Sequence, residues 1–297
     1  MNVYSRIPSD IIGLTVPSPL SRRTFMTASA ATAAGFTLAA GPVRADAIKT
    51  DTSGLKAGDA TVKVAGGDMP VYFARPENAA NPPVIIVAME VFGLHEHIKD
   101  VVRRVAKEGY FAVGNEPYFR IGELWKLEDL KQVIAGANQL SDEQAFKDLD
   151  AVVAWAGKNA RANTEKMAIT GFCRGGRTVW MYDAHQPKID AGVAWYGGLS
   201  PAEPAIKTTP LDAVDKLHGS VLGLYGGADQ GIPQEQVDKL SAALKASGNK
   251  KAKDSTIHVY PGMPHGFNAD YRPSYRKDAA EDGWKRMLAW FKKNGVG

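Results

Sequence analysis

One cysteine, Cys173, stands in 297 residues. That excludes an intramolecular disulfide and any zinc site built on cysteines. No Lys/Arg run with interleaved aromatics occurs, so the pattern by which proteins grip nucleic acid is missing. The net charge of +4 does not replace it: Arg6, Arg22, Arg23 and Arg44 against Asp10 put three of those charges in the first 45 residues. The rest of the chain is close to neutral. It carries no internal repeat, low-complexity tract or linker-like stretch after residue 45. Long apolar runs are also lacking; residues 27–40 form the main one near the N-terminus, short of the roughly 20 residues a membrane span needs.

What is present begins with a leader. Ser21-Arg22-Arg23-Thr24-Phe25-Met26 precedes the Ala/Thr/Gly-rich stretch 27–40, then Gly41-Pro42 and Val43-Arg44-Ala45. A basic region, a short apolar region and a small-residue cleavage site make a twin-arginine signal. Residues 1–45 are therefore expected to address the protein to the export machinery, with cleavage after Ala45 or Ala47 and a periplasmic or secreted product. Residues 46–297 are expected to form one domain, and 44% hydrophobic content gives it material for a large core.

Along that domain, residues 60–65 alternate, turn at Gly66-Gly67-Asp68 and continue at 71–74, a hairpin pattern. Residues 84–89 form a β-branched run of the kind buried on both faces of a sheet. Further strands are expected at 110–113, 166–170, 191–196, 221–225 and 255–260, and helices at 98–107, 177–183, 234–245 and 279–292. Another helix starts at Ser141, with Gln144 three residues on and Leu149, Val152, Val153 and Trp155 at helical intervals. Short apolar strands alternating with amphipathic helices predict an α/β fold: a mostly parallel sheet with helices on both faces.

The chemistry concentrates at Gly171-Phe172-Cys173-Arg174-Gly175-Gly176. It follows a buried strand and opens a helix, the setting of the G-x-S-x-G nucleophile elbow, with cysteine in place of serine. Glycines are needed because the turn is so sharp that flanking side chains would collide. The turn lifts the sulfur above the sheet edge and aims helix N-terminal N–H groups at it. Such a nucleophile needs a base and an acid on loops after later strands. Asp229 follows the 221–225 strand and His265 follows the 255–260 strand. His265 is expected to take the thiol proton, and Asp229 to hold the imidazole tautomer and stabilise its cation. The other histidines fit less well. His185 and His218 precede the acid, and His258 lies inside a strand. His95 and His97 could be joined with His265 as metal ligands, but no carboxylate at ligand spacing supports that. No metal or cofactor is expected.

Taken together, Met89-Glu90-Val91-Phe92-Gly93, Glu116-Pro117-Tyr118-Phe119-Arg120, the cysteine elbow, Gly226-Gly227-Ala228-Asp229 and His265-Gly266-Phe267 resemble the dienelactone hydrolase (carboxymethylenebutenolidase) family of α/β-hydrolases, over roughly residues 62–291. The resemblance implies that Glu90 controls ionisation of Cys173, and that the backbone N–H groups of Val91 and Arg174 form an oxyanion hole. It implies substrate binding by Arg120, with Tyr118 beside it. A second family arginine lies four residues after the histidine, where this chain has Ala269, and Arg272 is the nearby substitute. Arg174 also departs from the usual apolar residue after the cysteine. The expected function is cleavage of a small ester or lactone through a Cys-His-Asp triad and an acyl-thioester. Two other readings remain: a hydrolase-fold binding protein without turnover, and a thiol redox protein whose Cys173 cycles with an external thiol.

Overall fold

The hairpin leads into a sheet of eight strands. They are β1 (Leu55–Val64), β2 (Gly67–Pro76), β3 (Pro83–Ala88), β4 (Phe111–Asn115), β5 (Asn163–Phe172), β6 (Ile189–Trp195), β7 (Ser220–Gly226) and β8 (Thr256–Tyr260). This is a computed structural model, which describes residues 47–201 and 205–297. The expected leader, residues 1–45, lies outside the described residues. The strands run in the order β1-β2-β4-β3-β5-β6-β7-β8. Pairs β1–β2 and β2–β4 are antiparallel, and every other pair is parallel.

The helices are α1 (Glu96–Lys107), α2 (Leu130–Ala137), α3 (Asp142–Ala160), α4 (Arg174–Asp183), α5 (Pro210–Ala213), α6 (Gln234–Ala246), α7 (Lys250–Asp254) and α8 (Lys277–Lys293). Strand alternation divides the apolar residues between two cores. In β3, Ile85 and Val87 point to the face covered by Ile98, Val101 and Val105 of α1 and by Met287 and Phe291 of α8. Val84, Ile86 and Ala88 point to the other face, against Leu149, Val152 and Ala156 of α3 and Val179 and Trp180 of α4. Each fully buried aliphatic side chain stabilises by about 1.5–3 kcal/mol. The mostly parallel sheet covered on both faces is the architecture expected above. Among the described residues, no helix is long and apolar enough to cross a membrane.

Local signals explain the boundaries. Ser141 Oγ accepts the Gln144 N–H at 3.2 Å, so α3 starts where its cap is, and it ends at Arg161 in the left-handed region with φ 52°. α2 and α7 escape a periodicity search because they are short, yet Asp129 and Asn249 cap them through the N–H groups of Lys131 and Lys251. β1 starts at Leu55, ahead of the expected start, because its edge position leaves Lys56 and Asp59 exposed and no apolar run marks it.

Parallel pairing brings the carboxyl ends of β3, β5, β6, β7 and β8 to one edge of the sheet, where open α/β folds place their sites. At the opposite end of α4, Asp183 is completely buried. Its Oδ1 accepts the N–H groups of His218 and Gly219, both at 3.0 Å, just ahead of β7. Oδ2 has no hydrogen-bond partner. Burial raises the Asp183 pKa from 3.8 to about 7, against the pull of those two N–H groups. The native state therefore holds this proton more tightly than the unfolded chain, and the associated stability is lost as pH rises from about 4 to about 7. Asp183→Asn keeps an acceptor for both N–H groups and cannot titrate. Urea unfolding across pH 4–8 should show the variant gaining on the wild type toward pH 8, on the order of a few kcal/mol at roughly 1.4 kcal/mol per pKa unit.

Candidate active site

Cys173 caps α4 at the end of β5 with φ 55° and ψ −115°. This is a strained conformation for a residue with a side chain, and the packing around it allows no relaxation. A Cβ on Gly175 would lie 2.2 Å from the Ala88 carbonyl oxygen, and one on Gly176 would lie 2.4 Å from that of Trp195. The Cys173 N–H donates to the Trp195 carbonyl at 3.0 Å, and its own carbonyl accepts from Arg177 at 3.1 Å. The elbow expected from the glycine spacing is thus formed, and Cys173 is fully buried at its apex.

The acid and the histidine meet. His265 Nδ1 lies 2.7 Å from Asp229 Oδ2, and both residues are buried. Their loops are joined through the backbone: Gly227 N–H donates to Tyr260 O at 2.8 Å, and Ala228 N–H to Met263 O at 3.0 Å. Gly231 N–H occupies the other Asp229 oxygen at 2.8 Å. His265 Nε2 has no hydrogen-bond partner. The Nδ1 contact with a carboxylate fixes the ring, and leaves Nε2 as the atom available to exchange a proton.

Glu90 follows β3 and is fully buried. Tyr271 Oη donates to its Oε2 at 2.5 Å, and His95 Nε2 is 3.7 Å from the same oxygen. Burial by itself raises a carboxyl group; here the His95 contact and the charge of Arg272 outweigh it and bring Glu90 down to about 2. Burial pushes His95 below its ordinary value against the attraction of Glu90. At neutral pH the lasting cation beside Glu90 is therefore Arg272, itself buried. Behind this group, His97 Nδ1 is 3.3 Å from Asp270, and the Tyr271 ring packs against both His95 and His97. Among the described residues no group of His, Cys, Asp and Glu is arranged to hold a metal.

The loop after β3 is braced by a carboxylate that sequence reasoning noticed only as part of a motif. Glu116 Oε2 accepts the Leu94 N–H at 2.8 Å and Oε1 accepts the Tyr118 N–H at 3.0 Å. Gly93, at φ 84°, lets the loop pass over it, since a Cβ there would lie 2.5 Å from Oε2. Burial raises Glu116 to about 7 in spite of these two N–H donors. Val91 sits in the braced loop between Glu90 and Phe92.

Not every expected residue arrives at the cysteine. Arg120 forms a two-point contact with Asp148 of α3 at 2.7 and 2.8 Å, bonds the Ala65 carbonyl of the hairpin, and stacks on Phe119. Phe119 packs with the core on the far face from the one containing Cys173. Arg120, expected to bind a substrate carboxylate, thus has Asp148 as its ion-pair partner. The Arg174 guanidinium bonds Asn138 Oδ1 at 3.2 Å and the Ala137 carbonyl at 3.0 Å, so it docks on the C-terminal end of α2, where a cation is favoured. Tyr118 is buried in the same core as Cys173 and, with Met89 and Arg174, lines a crevice beside α4. Tyr196, Tyr271 and His95 are site residues that sequence reasoning did not select. The only sequence signs were an aromatic ahead of Gly197-Gly198 at a strand end and a tyrosine six residues after the histidine.

A strained cysteine elbow on a mostly parallel sheet, with acid and histidine on loops after later strands, defines the α/β-hydrolase class. Comparison with known proteins narrows this. Residues 69–295 match the model of the dienelactone hydrolase family, and the chain belongs to that family. A Methylorubrum extorquens protein assigned as a carboxymethylenebutenolidase is 46% identical over 291 residues, covering 97% of this chain and 98% of the relative. One from Escherichia coli (strain K12), assigned likewise, is 44% identical over 265 residues, 88% of this chain and 96% of the relative. The crystal structure of a Klebsiella pneumoniae protein assigned as a dienelactone hydrolase superimposes with a TM-score of 0.76 at 43% identity, covering 80% of this chain and 98% of that one. The protein is a hydrolase of the dienelactone hydrolase type.

Removing the Glu116 brace tests how the loop is held. Glu116→Ala removes the carboxylate that accepts from the Leu94 and Tyr118 N–H groups in a buried setting, at about 1–3 kcal/mol each. Urea denaturation should show a loss of that order, and hydrogen exchange at these two amides should accelerate relative to the rest of the sheet.

Proposed function

We propose that the protein hydrolyses a small ester or lactone, with Cys173 as nucleophile, His265 as base and Asp229 as the group that orients it. The observation that carries this reading is the 2.7 Å His265–Asp229 contact on loops neighbouring a strained, buried elbow cysteine. His265 Nε2 takes the thiol proton as Sγ attacks the carbonyl carbon. The backbone N–H groups of Val91 and Arg174 receive the developing oxyanion. Collapse breaks the C–O bond, the leaving oxygen takes the proton from the imidazolium, and an acyl-thioester remains. Water, deprotonated by His265, then releases the acid and the thiol. Glu90 is the group that controls the ionisation of Cys173 as substrate binds. Arg272, buried beside Glu90, is the cation proposed to face a substrate carboxylate, with Tyr118 on the wall.

Hydrolysis of p-nitrophenyl acetate and of a carboxylated enol-lactone tests the assignment. Cys173→Ala and His265→Ala should each lower kcat/KM at least roughly a hundredfold. A folded wild type without turnover on either substrate, or variants equal to it, would overturn the reading. Peroxide oxidation of Cys173 without ester turnover would favour the redox alternative.

Export is the second part of the proposal, supported by the Arg22-Arg23 pair ahead of residues 27–40 and the small residues that follow. Replacing both arginines by lysine should leave the protein in the cytoplasmic fraction; unchanged export would sink the twin-arginine assignment.

A further inference from the structure

Among the buried polar atoms of the site, Glu90 Oε1, His265 Nε2 and the Tyr196 hydroxyl have no hydrogen-bond partner. An unpaired buried polar atom is destabilising, and native proteins keep few. The proposed function uses the first two and leaves the third. Tyr196 is unusual in a second respect. It is one of three non-glycine residues with positive φ among the described residues, at 38°. It is also fully buried, immediately after β6. Its N–H is held by the Leu224 carbonyl at 2.8 Å, and the next residue, Gly197, passes so close to α4 that a Cβ there would lie 2.3 Å from Gly176 C. The backbone is thus forced into a strained conformation that presents the phenol toward the site. Strain of this kind accumulates where a side chain is aimed.

The direction of aim follows from its neighbours. The Tyr196 ring packs edge-on against the His265 ring, with centroids 4.9 Å apart, and against Phe267. The hydroxyl lies in the fields of Glu90 and Cys173. In the sheet, β5 carries the cysteine between β3 and β6. The Val91 side of the cysteine belongs to β3; the Tyr196 side belongs to β6, next to the loops of β7 and β8 that bring Asp229 and His265. Tyr196 is therefore on the side of the group that protonates the leaving oxygen, opposite the proposed oxyanion hole.

Resting on the hydrolase reading above, we infer that Tyr196 is a further catalytic residue: its hydroxyl donates a hydrogen bond to the leaving oxygen of the bound ester or lactone as the C–O bond breaks. The electron pair of that bond goes to the leaving oxygen, and the proton it acquires comes from the His265 imidazolium, which took it from Cys173. Tyr196 keeps its own proton throughout. Burial, with the negative charge of Glu90, pushes the phenol well above its ordinary pKa, so it remains a donor at neutral pH.

The test is leaving-group dependence in Tyr196→Phe, which keeps the ring contacts and removes only the oxygen. Ethyl and p-nitrophenyl esters of one acid would be compared by kcat/KM, which reports acylation. An alkoxide leaves poorly without a donor, whereas p-nitrophenolate leaves unaided. The variant should lose at least roughly tenfold on the ethyl ester and under about threefold on the p-nitrophenyl ester, the scale of one lost hydrogen bond to a charge-bearing oxygen. Its melting temperature should be unchanged or higher, because the lost hydroxyl has no partner. Alkylation of Cys173 by iodoacetamide should match the wild type, since that reaction has no ester leaving oxygen. Equal losses on both esters, slowed alkylation, or no loss at all would overturn the role. If the wild type hydrolysed neither ester, the hydrolase reading would fail and this inference with it; turnover by the wild type matched by the variant would remove the inference alone.

Discussion

Where α4 leaves β5, its first turn lies against the ends of β3 and β6 at distances that admit no Cβ. Gly171, Gly175, Gly176 and Gly197 are each within 2.4 Å of a backbone atom by that measure. This close approach is what the rest of the site depends on. It forces Cys173 to a positive φ, which raises its side chain above the sheet edge. It fixes the end of β3 against the same turn, and so sets where Glu90 and Val91 emerge. It also pins Gly197 to Gly176, and so sets where Tyr196 emerges. Three groups from three strands therefore share one reference point. Asp229 and His265 join through a separate set of backbone bonds between the loops of β7 and β8.

Around that reference point the protein buries charge. Glu90, Asp229, His265, Arg272, His95, His97 and Asp270 are all at least nine-tenths buried. Each would be costly alone, and each has an opposite charge or a hydrogen-bond donor close by. The network extends outward through Arg104, which bonds Asp270 and Asp100 at 2.5 Å each. Burial also strengthens each of these contacts, because little solvent is present to screen them.

Much of this was legible in the sequence, for identifiable reasons. The buried strands are runs of β-branched residues, and parallel order follows from their alternation with helices. The elbow is legible because glycine spacing reports backbone crowding directly. Asp229 and His265 are legible because each follows a strand. The sequence says less about side chains whose partners are remote in the chain. Arg120 matches a motif position, yet Asp148, 28 residues on, claims its charge. Tyr271 meets Glu90 across 181 residues, and no local pattern encodes that. Tyr196 is hidden for another reason: an aromatic at a strand end looks like core, and only its backbone angle and unpaired hydroxyl set it apart.

The histidine loop shows how a backbone path can bring remote side chains to one carboxylate. Four residues after His265, Ala269 is completely buried within the apolar core. An arginine there would bury its stem among the residues that pack Phe267 and Tyr271. The chain instead turns: Ala269 N–H bonds Gly266 O at 3.0 Å and Arg272 N–H bonds Ala269 O at 2.9 Å. Two successive turns bring Tyr271 and Arg272 back toward Glu90, one as a hydroxyl donor and the other as a cation. Glu90 thus has both a hydrogen bond and a charge beside it, supplied by two neighbouring residues of one loop. No pattern of spacing in the sequence announces this, because it is the backbone path of the loop that returns both side chains to the carboxylate.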